Sequence, residues 1–209
     1  MGLSELKEIF LSVLGNYTVP ETRMNVLWNE IDRNYSDKNR HYHTLHHLAN
    51  VLSELLEVKG NIRDWTTLLF ALYYHDIIYN PIRSDNEEKS AELAGERMQQ
   101  IGVTEDRIKG CKDQILATKS HTYTVDGDTN YFTDADLSIL GQSWEKYSDY
   151  CAKVRREYSI YPDVVYNAGR KKVLLHFLRM ERIFKTDHFL KKFGTKAKDN
   201  LRKEMQLLK

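Results

Sequence analysis

The sequence predicts an all-α fold, and three observations lead to this prediction. Ten glycines and three prolines in 209 residues are roughly half the usual combined share of about 12%, so few obligatory turns are available for a strand-rich fold. Apolar residues recur at helical spacing along most of the chain. No repeat, low-complexity tract or long linker divides the sequence. We therefore expect one helical-bundle domain over residues 1–209.

Each helix is predicted from an apolar stripe with a start or stop signal at its ends. Gly15-Asn16 stops the first stripe, and Pro20 suits the first turn of the second helix. Asp64 is the expected N-cap of an almost wholly apolar helix that should continue to Tyr79, before Asn80-Pro81. The hydrophilic stretch 122–130 is expected to be a loop. The predicted helices are 4–14, 20–33, 44–58, 65–79, 86–100, 104–118, 134–140, 144–158, 164–184 and one from about 195.

The charge balance argues against a function based on the overall electrostatic field. The chain has 31 basic and 30 acidic residues, so we expect neither nucleic acid nor an anionic membrane as a partner. No apolar run reaches the roughly 18 residues that span a bilayer, and the N-terminus lacks the basic and apolar regions of a signal peptide. Cys111 and Cys151 lack metal-ligand spacing, which suits a reducing compartment. We expect a soluble cytoplasmic protein.

The histidines are concentrated in one short segment. Four of the eight lie between His41 and His47. On a helix, His43 and His47 stand at i and i+4, so both rings can approach one ion; a solvated or structural pair is the alternative. No glutamate follows in an HExxH arrangement, which excludes a zinc protease of that type.

Two further segments carry residues suited to metal chemistry. His75-Asp76 lies at the end of the most apolar predicted helix, where a buried carboxylate needs a metal, a charge partner or hydrogen bonds. Asp134 and Asp136 flank an alanine at an apolar helix start. For Asp134 the alternative is an N-cap or first-turn acid.

Taken together, these segments resemble the HD superfamily of metal-dependent phosphohydrolases over most of the chain, and a predicted bacterial branch of that superfamily most of all. The isolated HD dipeptide is a weak signal, whereas the ordered set of motifs is specific to the superfamily. The matching positions are Arg40, Tyr42, His43, Leu45 and His47, then Tyr74-His75-Asp76, Asp85-Asn86-Glu87 with Ser90-Ala91, the segment from Asp134 to Gly141, Arg155 with Glu157-Tyr158, and Gly169-Arg170.

The resemblance implies a metal-site core over residues 40–140, C-terminal helices over 143–209, and a set of four ligands. His47 is preferred to His43 and His46 because the apolar Val51 follows it by four residues, as in the superfamily. Asp136 is preferred to Asp134, which would be an outer-shell group or a cap. Such a mixed set suits Mn, Mg, Co, Ni, Fe or Zn. The implied metal ligands are His47, His75, Asp76 and Asp136.

The implied reaction is hydrolysis of a phosphate ester or phosphoanhydride, in a nucleotide or a similar small metabolite, by metal-activated water. Asp76 would be a catalytic residue as well as a metal ligand. Several hydrolytic branches carry acids just after the HD dipeptide, but this chain has Tyr79-Asn80 there. Asp85 and Glu87 are the nearest replacements for handling the proton. The predicted contacts to the substrate phosphate are Arg40, Lys119, His121 and Arg170.

Two rival functions remain open at this point. A catalytically silent HD module that binds metal or nucleotide for sensing or regulation is favoured by the missing acids after the HD dipeptide. An oxygenase with two irons would need extra ligands, which His43 and His121 alone could supply. A closed symmetric homodimer is expected from base rates only.

Overall fold

The computed structural model describes residues 2–208 and confirms the all-α prediction, with no strand in that range. Two short 3₁₀ helices, Lys59–Asn61 and Leu137–Gly141, accompany the α-helices. No helix among the described residues is both long enough and apolar enough to cross a membrane. The α-helices are α1 (Leu3–Leu14), α2 (Glu21–Tyr35), α3 (Leu45–Glu57), α4 (Trp65–Tyr74), α5 (Asn86–Gln100), α6 (Glu105–Ala117), α7 (Gly127–Asp136), α8 (Trp144–Glu157), α9 (Asp163–Arg179) and α10 (Asp187–Leu207).

The chain forms two compact units, Met1–Thr133 and Asp134–Lys209. The boundary falls inside α7, whose last three residues are counted with the second unit. Each unit has its own buried apolar residues. The expectation of one domain over the whole chain stays a prediction.

Helix α4 lies at the centre of the first unit. All eight of its residues from Thr67 to Tyr74 are buried, as its lack of a polar face predicts. The predicted cap at Asp64 is confirmed, since its carboxylate accepts the N–H of Thr67 at 3.1 Å. From α1, Phe10 packs on Tyr73 with ring centroids 4.8 Å apart.

The prediction that this helix continues to Tyr79 is wrong, because α4 ends at Tyr74. Leaving a helix in the interior exposes backbone N–H and C=O groups that must find other partners. Here side chains from other parts of the chain are the hydrogen-bond partners of these backbone groups. Tyr35 Oη accepts the Asp76 N–H (3.2 Å), Ser90 Oγ accepts the Ile78 N–H (3.1 Å), and Asn86 Oδ1 accepts the Asn80 N–H (3.1 Å).

The predicted loop over 122–130 is too long, since α7 begins at Gly127. The carboxylate of Asp126 accepts both the N–H (2.9 Å) and the Oγ–H (2.6 Å) of Thr129, as an N-cap does. The polar residues that suggested a loop therefore start a helix. The helix predicted over 134–140 is the end of α7 followed by the 3₁₀ helix Leu137–Gly141.

In the second unit α9 ends earlier, and α10 begins earlier, than predicted. The chain leaves α9 at Arg179, and α10 starts at Asp187 instead of about 195. The turn between them is fixed by Asp134, whose carboxylate accepts the N–H groups of Lys185 (2.8 Å) and Thr186 (2.7 Å). Gly141 lets the 3₁₀ helix Leu137–Gly141 pack closely on α10, because a Cβ at position 141 would lie 2.3 Å from the Cβ of Phe193.

Candidate metal centre

Three predicted ligands from α3 and the end of α4 converge in the first unit. His47 lies in the first turn of α3, while His75 and Asp76 follow α4 directly. The Nε2 atoms of His47 and His75 are 3.3 Å apart, and both rings are buried. Asp76 Oδ2 lies 3.1 Å from His75 Nε2 and 3.9 Å from His47 Nε2. Two imidazole nitrogens and a carboxylate oxygen therefore surround one small volume.

The hydrogen bond on the far side of His75 determines which nitrogen faces this volume with a lone pair. Its Nδ1 lies 2.8 Å from the Leu72 carbonyl oxygen. A carbonyl oxygen only accepts, so Nδ1 donates, and when the ring is neutral the lone pair is on Nε2, which lies towards His47. Metal-bound histidines are oriented by this kind of bond. The donor set thus fits a cation.

The fourth predicted ligand is Asp136, the last residue of α7. It is counted with the second unit, whereas His47, His75 and Asp76 belong to the first. Two imidazoles with one or two carboxylates form a mixed nitrogen and oxygen set that divalent first-row ions accept. The His–His–Asp cluster can therefore hold a metal ion, and the donor types leave several ions open as its occupant.

His43 lies beside the cluster, although it precedes α3 and is not on the helix. Its Nε2 is 3.9 Å from Asp76 Oδ2, and its ring centroid is 5.8 Å from that of His47. The ring of Tyr79 contacts that of His43, at 4.3 Å between centroids and an interplanar angle of 30°. The side chains of His43 and Asp76 are 20% and 19% exposed, so the cluster is reached from this side.

Arg40, predicted as a phosphate contact, is engaged with the backbone around the cluster. Its Nη1 donates to the carbonyl oxygens of Asp76 (2.6 Å) and His43 (3.3 Å), and Nη2 donates to that of Ile77 (2.8 Å). The guanidinium also lies over the ring of Tyr35, 4.8 Å from its centroid. Arg40 is 8% exposed.

The acidic residues predicted to handle the proton lie in a surface network. Asp85 accepts two hydrogen bonds from Arg83, at 2.7 and 2.5 Å. These bonds lower the pKa of Asp85 below its ordinary range, which makes it a weaker base. Lys119 Nζ donates to Glu88 and, at 2.7 Å, to the Ser84 carbonyl, with Glu87 Oε2 at 3.9 Å. Whether these groups act on a substrate stays a prediction.

His121 has a backbone conformation that its place after α6 explains. Its φ of 52° lies in the left-handed region, where residues other than glycine are uncommon. The His121 N–H donates to the Ala117 carbonyl at 2.9 Å. This bond closes the turn 118–120 that follows α6, whose own C-cap is Thr118. A contact from His121 to phosphate stays a prediction.

Arg170, the last predicted phosphate contact, is buried in the second unit. Its Nε and Nη2 donate to the two carboxylate oxygens of Glu204 at 2.7 and 2.9 Å, and Nη1 donates to Tyr150 Oη at 3.3 Å. Tyr147 also donates to Glu204. These contacts are those of a structural ion pair, and the phosphate contact stays a prediction.

Sequence reasoning missed Lys185. Its side chain is 3% exposed, and its Nζ lies 3.4 Å from Oδ1 of the fully buried Asp134. Burial lowers the pKa of Lys185, while Asp134 and Asp136 oppose that shift. Asp134 therefore holds the segment before α10, and the outer-shell or cap role expected of it stays a prediction. The only sequence signal for Lys185 is a basic residue directly after the apolar pair Ile183-Phe184.

A surface cavity of about 520 Å³ lies away from this chemistry. Its walls are residues 16–20, Arg23 and residues 100–102. None of these wall residues is a histidine, aspartate or glutamate. The cavity therefore does not include the candidate metal centre.

Fold and site define the molecule as an all-α protein in which two buried histidines, His47 and His75, converge with a partly exposed aspartate, Asp76. Comparisons with protein-family models, with curated proteins and with solved structures give no match for the chain. Its function is therefore inferred from its own residues.

Proposed function

We propose that the chain is a metal-dependent phosphohydrolase of the HD type. The substrate would be a phosphate ester or phosphoanhydride of a nucleotide or a similar small metabolite. The observation that carries the proposal is the facing pair of Nε2 atoms in His47 and His75, 3.3 Å apart, with the Asp76 carboxylate beside them. The order of these residues along the chain is that of the HD superfamily, whose members use them as ligands.

The ligands in this proposal are His47, His75, Asp76 and Asp136. Candidate ions are Mn, Mg, Co, Ni, Fe and Zn, because the set mixes imidazole with carboxylate. A divalent ion held there supplies positive charge to a phosphoryl group and makes water a better nucleophile near neutral pH. The burial of both imidazoles keeps competing water from these ligands.

His43 is the group best placed to handle a proton at the open side of the cluster. Its Nε2 lies near the Asp76 carboxylate, at 3.9 Å, and its ring is partly exposed. An imidazole changes its charge close to neutral pH, which suits a general acid or base. Its contact with the ring of Tyr79 holds the imidazole in place. We therefore propose His43 as a proton carrier, beside Asp85 and Glu87, for a chain that lacks acids after the HD dipeptide.

Phosphate release by the metal-stripped full chain tests the proposal. Mn, Co, Ni, Mg and Zn are supplied in turn with a panel of nucleoside mono-, di- and triphosphates. Asp76→Asn should lower metal-dependent release by more than about a hundredfold, since loss of a ligand exceeds the 10- to 100-fold effect usual for outer-shell partners. The matched control is Asp113→Asn, at an exposed aspartate paired with Lys109, and it should leave release unchanged.

The other outcomes of this experiment favour the rival functions. Metal binding without release from any panel member would contradict the hydrolase and favour a silent module that binds metal or nucleotide. Two irons per chain with oxygen consumption would favour an oxygenase. We also propose a cytoplasmic location, which the two free cysteines, Cys111 and Cys151, support.

A further inference from the structure

The loop that carries His75 and Asp76 is held by a side chain from a distant part of the sequence. After α4 ends at Tyr74, the carbonyl oxygens of Asp76 and Ile77 no longer belong to a helix. Arg40 donates to both, at 2.6 and 2.8 Å, from 36 and 37 residues away. Buried carbonyl groups need such partners, and a charged donor makes the stronger hydrogen bond.

The same guanidinium reaches the segment that leads into α3. Its Nη1 lies 3.3 Å from the carbonyl oxygen of His43, four residues before His47. One planar group therefore connects the backbone of the two segments that supply the histidines. The aromatic ring of Tyr35 lies under it, and the hydroxyl of Tyr35 accepts the N–H of Asp76 at 3.2 Å. Both polar groups of the Asp76 backbone are thus fixed.

We propose that Arg40 is a positioning residue that sets the affinity of the cluster for its metal ion through the backbone of Asp76 and Ile77, and that it does not bind the substrate phosphate. The inference rests on the proposed metal site. It replaces the phosphate contact expected from the sequence, because Arg40 is 8% exposed and its guanidinium donates to three carbonyl oxygens. A lysine cannot take its place, since a single ammonium lacks the fork that spans these oxygens.

Titration of metal-stripped full-length protein with Co²⁺ alone tests the proposal, with visible absorption as the readout. Arg40→Lys should weaken Co²⁺ binding by about 10- to 100-fold, the range usual for residues that orient metal ligands. It should also change the absorption bands of bound Co²⁺. Tyr35→Phe removes the hydroxyl that accepts the Asp76 N–H and keeps the aromatic ring, and we expect a weakening of about three- to tenfold, as for one neutral hydrogen bond.

The control is Arg97→Lys, which breaks a comparable fork on Glu30 at 2.8 and 2.9 Å in the same unit. It should lower the melting temperature and leave the Co²⁺ affinity and absorption unchanged. Binding of inorganic phosphate to the Co²⁺-loaded protein separates the two roles of Arg40. Loss of phosphate affinity in Arg40→Lys with unchanged Co²⁺ affinity would overturn the proposal and restore the direct contact.

Circular dichroism establishes whether each variant is folded. If Arg40→Lys does not fold, unchanged Co²⁺ affinity and absorption in Tyr35→Phe would overturn the proposal. Co²⁺ binding that depends on Arg40 in a protein that hydrolyses nothing would contradict the hydrolase alone. A wild-type chain that binds no Co²⁺ would contradict both.

Discussion

Two buried polar clusters, one in each unit, differ in how their charges are balanced. In the second unit Arg170 and Glu204 form two hydrogen bonds, and Tyr147 donates to the same carboxylate, so donors meet acceptors. In the first unit the Nε2 atoms of His47 and His75 face each other beside a carboxylate. A donor set that converges on one point is suited to bind a cation, whereas a matched ion pair stabilises the fold without a ligand.

The largest effect expected from this difference is on stability. Glu204→Gln leaves the Arg170 guanidinium buried without its counter-charge, which should lower the free energy of unfolding by about 3–5 kcal/mol. Asp76→Asn should change it by less than about 1 kcal/mol in the absence of metal, since functional residues are seldom optimised for stability. Denaturant unfolding of the two metal-stripped variants measures both. An equal loss of unfolding free energy in the two variants would contradict the distinction between the two clusters.

Metal addition should have a smaller effect and should act through one cluster only. An ion at about 100 times its dissociation constant raises the free energy of unfolding by about 2.7 kcal/mol if it binds the folded state alone. We expect this rise in wild type and in Glu204→Gln, measured as a shift in melting temperature. His47→Gln should lack it. A rise that survives in His47→Gln would place the ion elsewhere.

The smallest expected effect is that of acid on the stability that the Arg170–Glu204 pair contributes. Burial opposes ionisation of Glu204, but Arg170 and Tyr147 outweigh it and hold the pKa of Glu204 below its ordinary value of 4.5. A carboxyl group with a lowered pKa adds stability above its unfolded pKa and loses it as pH falls through the folded pKa. Stability should therefore fall more steeply below pH 4.5 in wild type than in Glu204→Gln. The free energy of unfolding of both proteins is measured by denaturant unfolding between about pH 6 and 3. An equal pH dependence in the two proteins would contradict this prediction.

The sequence was sufficient where local signals decide the structure. The apolar run Trp65–Tyr74 and the cap at Asp64 predicted α4, and the motif order predicted His47, His75 and Asp76 as neighbours. The sequence did not predict where a helix ends when long-range hydrogen bonds determine that end. The end of α4 depends on Tyr35 and other side chains remote in sequence, which no local pattern records.

The roles of basic residues were the least predictable part of the site. Arg40 lies in a motif, and nothing in the motif distinguishes a phosphate contact from a donor to backbone carbonyls. Lys185 lies in no motif, and its partner Asp134 is 51 residues away in sequence. The conformation that brings such residues to a carboxylate is a property of the folded chain.

The metal environment itself is the most direct test of the account. X-ray absorption at the cobalt edge of the full chain loaded with one equivalent of Co²⁺ reports the nitrogen and oxygen ligands of the ion. We predict two imidazole nitrogens with oxygen ligands in wild type, and one imidazole fewer in His75→Gln. A spectrum with oxygen ligands alone, or one that His75→Gln does not change, would contradict the central claim that His47 and His75 hold the metal.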